Sequence, residues 1–166
     1  MQIRRATAAD LDAVIDIGTR TWWGTYPPIA GGDYVRAGIA RWWTPEAVLP
    51  AIRVGRVLVA ERDGRVIAMA SYSLLDPAED AAMLWKLYVD PAVQGSGAGR
   101  ALVDAVIAEI GTRRGVLRLT HLLGNDHAHA VYQHLGFRTT GRVGSPIEGG
   151  PEEVVMERPL RVATAG

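Results

Sequence analysis

The sequence predicts an α/β domain: a mixed, strongly twisted sheet of six or seven strands with helices on its faces. Three observations predict it. Segments with strand alternation and segments with helical spacing follow in the order β, α, α, β, β, β, α, β, α, β, β, which is not a regular βα alternation. An apolar and aromatic strand at 84–89 runs through a proline stop and a glycine-rich turn into a helix. The 166 residues carry 48% apolar side chains, enough for a good core, with no repeat or linker to divide them. A single domain spanning 1–166 is expected.

In chain order, Ile3-Arg4-Arg5-Ala6 is a short strand. Thr7-Ala8-Ala9-Asp10 reads as a capping box with Asp10 in the acceptor place. Leu11, Val14, Ile15, Gly18 and Trp22 lie on one face of the helix that follows, and Tyr26-Pro27-Pro28 ends it. Asp33 can cap a second helical region through Tyr34, Val35, Ile39 and Trp42, interrupted by Thr44-Pro45-Glu46, itself a helix start. Strands at 56–61 and 65–74 flank the hairpin turn Asp63-Gly64. An acidic loop at 76–80 leads to the strand at 84–89, and the helix after it closes at Gly111. Residues 116–121 are a strand, and a helix opened by Gly124-Asn125-Asp126 stops at Gly136. Strands at 137–143 and 153–158 flank a Gly/Pro-rich loop, and residues 163–166 are expected to fray.

The stretch that organises the chain is Leu84-Trp85-Lys86-Leu87-Tyr88-Val89-Asp90-Pro91, followed by Gln94-Gly95-Ser96-Gly97-Ala98-Gly99-Arg100. A glycine-rich turn between strand and helix aims backbone N–H groups at one spot, where the helix terminus adds partial positive charge. Such a site suits a phosphate or pyrophosphate. The dinucleotide pattern G-x-G-x-x-G fails, because its third glycine would fall on Arg100. The P-loop pattern fails too, because Arg100-Ala101 follow the glycines where Lys-Ser/Thr is required.

Composition excludes other classes. Lys+Arg and Asp+Glu each total 18, with no basic run, so nucleic acid is not an expected partner. There is no cysteine, hence no disulfide, thiolate metal site or cysteine nucleophile. The N-terminus lacks the apolar core of a signal peptide, and no apolar run approaches the ~18 residues of a membrane helix. No membrane association and a cytoplasmic location are the expectations. His127-x-His129 cannot place two ligands on one helix face, so no metal is expected and both read as solvent-exposed.

The spacing Gln94-x-x-Gly97-x-Gly99 behind Leu87-Tyr88-Val89-Asp90-Pro91 resembles the acyl-CoA-binding motif of the GNAT acetyltransferase superfamily. Asn125-x-x-Ala128-x-x-Val131-Tyr132-x-x-Leu135-Gly136-Phe137 resembles its second signature. With the element order, the likeness covers most of the chain from residue 56 onward. It implies a GNAT-like fold and acetyl-CoA as acyl donor, bound where the central strand and its neighbour splay apart. It implies N-acetyl transfer to a primary amine of a small molecule or peptide by direct attack in a ternary complex.

The resemblance also implies roles. Leu87, Tyr88 and Val89 pair their backbone with the pantetheine arm, and one of their N–H groups polarises the thioester carbonyl. Gln94, Gly95, Ser96, Gly97, Ala98, Gly99 and Arg100 hold the pyrophosphate. Asn125 bonds the pantetheine arm, and Tyr132 faces the thioester sulfur as general acid. Read alone, Asn125 is a helix N-cap and Tyr132 a packed aromatic. Tyrosine near pKa ~10 and a thiol near ~8.5 make full proton transfer uphill, so Tyr132 acts mainly as a hydrogen-bond donor.

The base is open. Family members often carry a glutamate where this chain has Met83 or Thr120, and neither can act. His121, which strand alternation turns to the opposite face, and Glu79 or Asp80 acting through water are the candidates. In each of Trp22-Trp23 and Trp42-Trp43, one ring is expected in the core and its neighbour at a boundary. Trp23, Tyr26, Tyr34 and Trp43 are candidates for the wall of an acceptor pocket, and a homodimer contact is the other reading of the tryptophans. The absent acids leave a second class open, an acyl-CoA-binding module without efficient catalysis.

Overall fold

A computed structural model describes residues 1–160. The end expected to fray, 163–166, lies outside the described residues. The elements are β1 (Gln2–Arg5), α1 (Leu11–Thr25), α2 (Pro27–Ala30), α3 (Gly32–Trp42), α4 (Pro45–Arg53), β2 (Val57–Arg62), β3 (Arg65–Leu74), β4 (Ala81–Val89), α5 (Ala98–Ile110), β5 (Val116–Leu122), α6 (Asp126–His134), β6 (Arg138–Val143) and β7 (Glu153–Pro159). The strands form one seven-stranded sheet in the order β1-β2-β3-β4-β5-β7-β6. Only β4 and β5 pair in parallel; every other neighbour is antiparallel.

Local chemistry explains the elements. Before α1, the Asp10 carboxylate accepts the Thr7 N–H at 2.8 Å, the reciprocal half of the capping box. Arg4 then grips the same carboxylate with two bonds of 2.8 and 2.9 Å. Asp63 and Gly64 both take positive φ, the two-residue turn whose twist matches the flanking strands. The prolines after Tyr26 do more than end α1. They start a further short helix, α2, because proline fits a first helical turn that needs no N–H donor. Thr44 likewise opens a separate helix, its hydroxyl accepting the Ala47 N–H at 3.3 Å. The central strand begins at Ala81, three residues before the boundary expected from its aromatic run.

Each sheet face has its own core. One packs α5, through Leu102, Val103, Val106 and Ile110, on Leu84, Leu117 and Leu119. The other packs α1, α3 and α4 on Val57, Val59 and Met69. In the tryptophan pairs, Trp22 and Trp43 are buried while Trp23 is 43% exposed. The buried rings lie against glycines: the Gly18 Cα faces Trp43 and the Gly38 Cα faces Trp22, each so close that a Cβ would overlap the ring.

Candidate active site

The parallel pairing of β4 and β5 lasts only from Ala81↔Val116 to Met83↔Arg118. Beyond it the strands part, while β4 stays on β3 up to Ala68↔Val89 and β5 stays on β7 up to Leu122↔Glu153. The gap exposes a sheet edge inside the molecule. The Asp90 N–H donates to the Ile67 carbonyl at 2.8 Å, so by the two-residue period Tyr88 also faces β3. The backbone groups of Leu87 and Val89 therefore face the gap.

A bulge aims the rest of β4. Ser71 opposes Lys86 and Tyr72 opposes Leu84, leaving Trp85 as the extra residue. Lys86 and Tyr88 consequently share the face covered by α1, α3 and α4, and Leu87 and Val89 pack on the α5 side.

The end of β4 is fixed by Asp90, only 2% exposed. Its carboxylate accepts two bonds of 3.2 Å from Arg20 and one of 3.1 Å from Arg65. It also accepts the Ala92 N–H at 3.0 Å, which turns the chain out of the strand. Arg20 foremost holds this carboxyl below its usual pKa. Gly97 then caps α5 at φ 81°, in the left-handed region that glycine enters without penalty. A Cβ at Gly95 or Gly97 would meet nothing within 4 Å, so the space before the loop is open. The first N–H groups of α5, from Ala98, have no partner within the helix. A bulky anion fits this cradle. Gln94 and Arg100 are exposed beside it, and the Arg100 guanidinium reaches the His134 carbonyl at 3.4 Å.

The gap opens into a cavity of about 760 Å³. Trp22, Tyr26, Tyr34, Trp42 and Trp43 form its aromatic wall. Met83, Trp85, Lys86 and Tyr88 of β4, Thr120 to Leu122 of β5, and Glu153 of β7 form its floor. Arg41 donates to the Pro146 carbonyl at 2.8 Å and ties α3 to the loop before β7. The Trp22 indole donates to the Tyr88 hydroxyl at 3.1 Å, and the Tyr26 and Tyr88 hydroxyls are 3.4 Å apart. Burial raises the pKa of both tyrosines. Tyr34 is pushed up to about 12 by burial, with the Glu153 charge adding to it.

Of the aromatic residues singled out in the sequence, Tyr26, Tyr34 and Trp43 line this cavity and Trp23 does not. Trp23 sits on the outer surface of α1 under the Arg36 guanidinium, 5.9 Å from its ring centroid. The helix turns its neighbour Trp22 inward instead.

The base candidates change. Glu79 is paired with Arg118 at 2.8 Å, at the end of β4 away from the gap, and Asp80 accepts the Gly115 N–H there. His121 borders the cavity, but its Nδ1–H donates to the Leu122 carbonyl at 3.0 Å. In the neutral ring its Nε2 is the lone-pair nitrogen, and it lies 2.9 Å from His129 Nδ1, paired with that ring. Burial lowers its pKa, and the bond to His129 engages the nitrogen that would have to accept a proton. His129, expected to be a solvent-exposed helix histidine, is half-buried in this pair.

Among the described residues, the carboxylate that lines the cavity is Glu153, which was not among the residues singled out in the sequence. It opposes Leu122 and shares the cavity face with Thr120. Burial raises the Glu153 pKa, and the Thr120 hydroxyl offsets part of that rise. The sequence did hold a signal. In Glu153-Val-Val-Met-Glu157, Val154 and Met156 are buried, so alternation turns Glu153 to the other face.

Across the gap, Asn125 caps α6 by accepting the Ala128 N–H on its side-chain oxygen at 3.2 Å. Tyr132 follows on α6, its ring 6.1 Å from both His121 and Phe137. Burial, then the nearby Tyr88 phenol, raise the Tyr132 pKa. Among the described residues no cluster of three or more His, Asp or Glu has the arrangement of a metal site. No helix there is long and apolar enough to cross a membrane.

Comparison with known proteins agrees with this architecture. A ribosomal protein bS18-alanine N-acetyltransferase of Escherichia coli K12 is 36% identical over 97 residues, covering 55% of this chain and 65% of that relative. Among solved structures, a PaiA N-acetyltransferase of Thermoplasma acidophilum in complex with coenzyme A superposes with a TM-score of 0.81 at 21% identity, covering 95% of this chain and 98% of that one. A ribosomal-protein-alanine N-acetyltransferase of Brucella melitensis superposes at 0.72 with 28% identity, covering 96% and 99%. The profile of the acetyltransferase (GNAT) family matches residues 20–137, and the chain belongs to that family.

Proposed function

We propose that this protein transfers the acetyl group of acetyl-CoA to an amine, by direct attack within a ternary complex. The observation that carries the reading is the parting of β4 and β5. It leaves the edge of Leu87 and Val89 unpaired and leads into the open glycine cradle at the start of α5. An extended pantetheine arm can add to that edge as a strand would, with the pyrophosphate at residues 94–100. The donor supplies an activated thioester; the chain binds, orients and moves protons.

In that arrangement a backbone N–H of the 87–89 edge polarises the thioester carbonyl. The amine nitrogen attacks the carbonyl carbon, the C–N bond forms and the C–S bond breaks. Glu153 accepts the proton the amine loses, directly or through one water. Tyr132 donates a hydrogen bond to the sulfur as it gains charge. Its raised pKa makes complete proton transfer less favourable still, so the phenol stabilises the leaving thiolate without surrendering its proton. Asn125 uses its oxygen for the helix cap, which leaves its amide N–H₂ to donate to the arm. Glu153 also favours an enzyme over a binding module, because it supplies the acid missing at Met83 and Thr120.

The test is a calorimetric titration with acetyl-CoA, beside a Gly97→Glu variant. That variant places a carboxylate in the cradle and strains a left-handed position. Micromolar binding by the parent and none by a folded variant is the expected result. No binding by either removes the proposal.

A further inference from the structure

The charges around the cavity are unequal. Among the described residues three cationic side chains border it, Arg41, Arg56 and Lys86, against the single carboxylate of Glu153. All three lie over aromatic rings, Arg41 at 5.1 Å from the Trp42 centroid and Arg56 at 5.2 Å from that of Tyr72. Lys86 is set apart by its place on the cavity floor and by its desolvation. It comes from the central strand just past the bulge, and its Nζ lies 4.1 Å from the Trp43 centroid. One of its three donors goes to the Trp42 carbonyl at 2.7 Å. Among the described residues it has no carboxylate partner, and desolvation alone pushes its pKa down to about 8. A half-buried ammonium that lacks a counter-ion is unfavourable by itself. The same ammonium is a strong anchor for an anion brought into the cavity, where charge-assisted bonds are short and poorly screened.

Resting on the acetyl-transfer reading, we propose that the acceptor is an amine that also carries a carboxylate, as an α-amino acid does. Its carboxylate pairs with Lys86, its apolar part lies on the wall of Trp22, Trp42 and Trp43, and its amine faces Glu153. Lys86 and Glu153 then read the two charges of a zwitterion. A plain amine or polyamine would meet three cations and one acid, and would leave Lys86 unpaired.

The experiment compares matched acceptors with acetyl-CoA saturating: phenylalanine, leucine and methionine, each beside its carboxamide and its decarboxylated amine. Release of the CoA thiol gives kcat/KM. A charge-assisted bond of ordinary strength predicts a preference for the acid of about 10- to 100-fold. Lys86→Met should bring that ratio to within about threefold of unity, and Lys86→Arg should restore most of it. The ratio is insensitive to the folded fraction of a variant, so a loss of stability does not mimic the effect. Equal or better turnover of the amides or amines, a ratio that Lys86→Met leaves unchanged, or no acetylation of any acid overturns the proposal. The acetyl-CoA titration separates the two levels. If the donor binds and only carboxylate-free amines react, the acceptor assignment fails while acetyl transfer stands. If the donor does not bind, both fail.

Discussion

Replacing Glu153 with glutamine removes the one carboxylate that lines the cavity among the described residues, with little change of volume. The size of the effect follows from the acceptor. An amine of pKa ~10 is only about one part in a thousand neutral at pH 7, so the proton it carries must be accepted for attack to proceed. Without a base the variant depends on that neutral fraction. We expect kcat/KM for the amine to fall about 100- to 1,000-fold at pH 7, with acetyl-CoA affinity within about twofold of the parent. The deficit should shrink about tenfold per pH unit as the amine deprotonates in solution. In the parent, Glu153 must be ionised to act, and burial raises its pKa above the ordinary glutamate value. Activity is therefore full above that raised value and is lost as pH falls through it; the variant lacks this acid limb. The assay is initial rates of CoA release from pH 5 to 9.5, with circular dichroism as a folding check. A deficit that is the same at every pH, or no deficit, would refute Glu153 as the base. A large loss of acetyl-CoA affinity would instead make it a structural residue of the gap.

Other perturbations have equally definite outcomes. Tyr132→Phe should lower kcat about 10- to 100-fold, with little change in the acetyl-CoA dissociation constant measured by calorimetry, because one hydrogen bond to a charged leaving group is lost. A fall in affinity with turnover intact would remove its role at the sulfur. Gly38→Ala and Gly18→Ala put a methyl group into the rings of Trp22 and Trp43, and each should destabilise the fold by about 1–3 kcal/mol in urea unfolding. Gly24→Ala, on the same helix as Gly18 but with open space around it, should be neutral or slightly stabilising. Asp10 has its pKa lowered to about 2, mainly by Arg4. Its contribution is complete above the unfolded value of 3.8 and is lost as pH falls toward 2. The loss is at most about 2 kcal/mol, less where salt screens the half-exposed Arg4. Asp10→Asn should flatten the stability curve in that window.

The contrast between Tyr132 and Glu153 separates what is local in this protein from what is not. The sequence alone determined the turns, caps and stops: Asp63-Gly64, Thr7 to Asp10, Thr44-Pro45, and the passage from Val89 through the glycines into α5. Each depends on backbone sterics or on a hydrogen bond within a few residues, so it is legible without the fold. Its order of strands and helices predicted a mixed sheet without its strand order, and the two motifs singled out Leu87, Val89, Gly97, Asn125 and Tyr132, which the fold sets around one gap.

Only the tertiary structure decided what fills the cavity. Trp22 rather than Trp23 faces it, because Gly38 of another helix leaves room for that ring. Lys86 enters it because a bulge at Trp85 resets the alternation of β4, and a bulge is a property of the pair of strands. His121 is engaged by His129, eight residues on, where a turn of chain brings His129 Nδ1 within 2.9 Å of its Nε2. Glu153 reaches the gap because β7 inserts between β5 and β6 and sets it opposite Leu122. A carboxylate thirty-three residues beyond Thr120 lines the same cavity as Thr120, and such long-range juxtapositions are set by strand order and packing, which no local pattern of residues encodes.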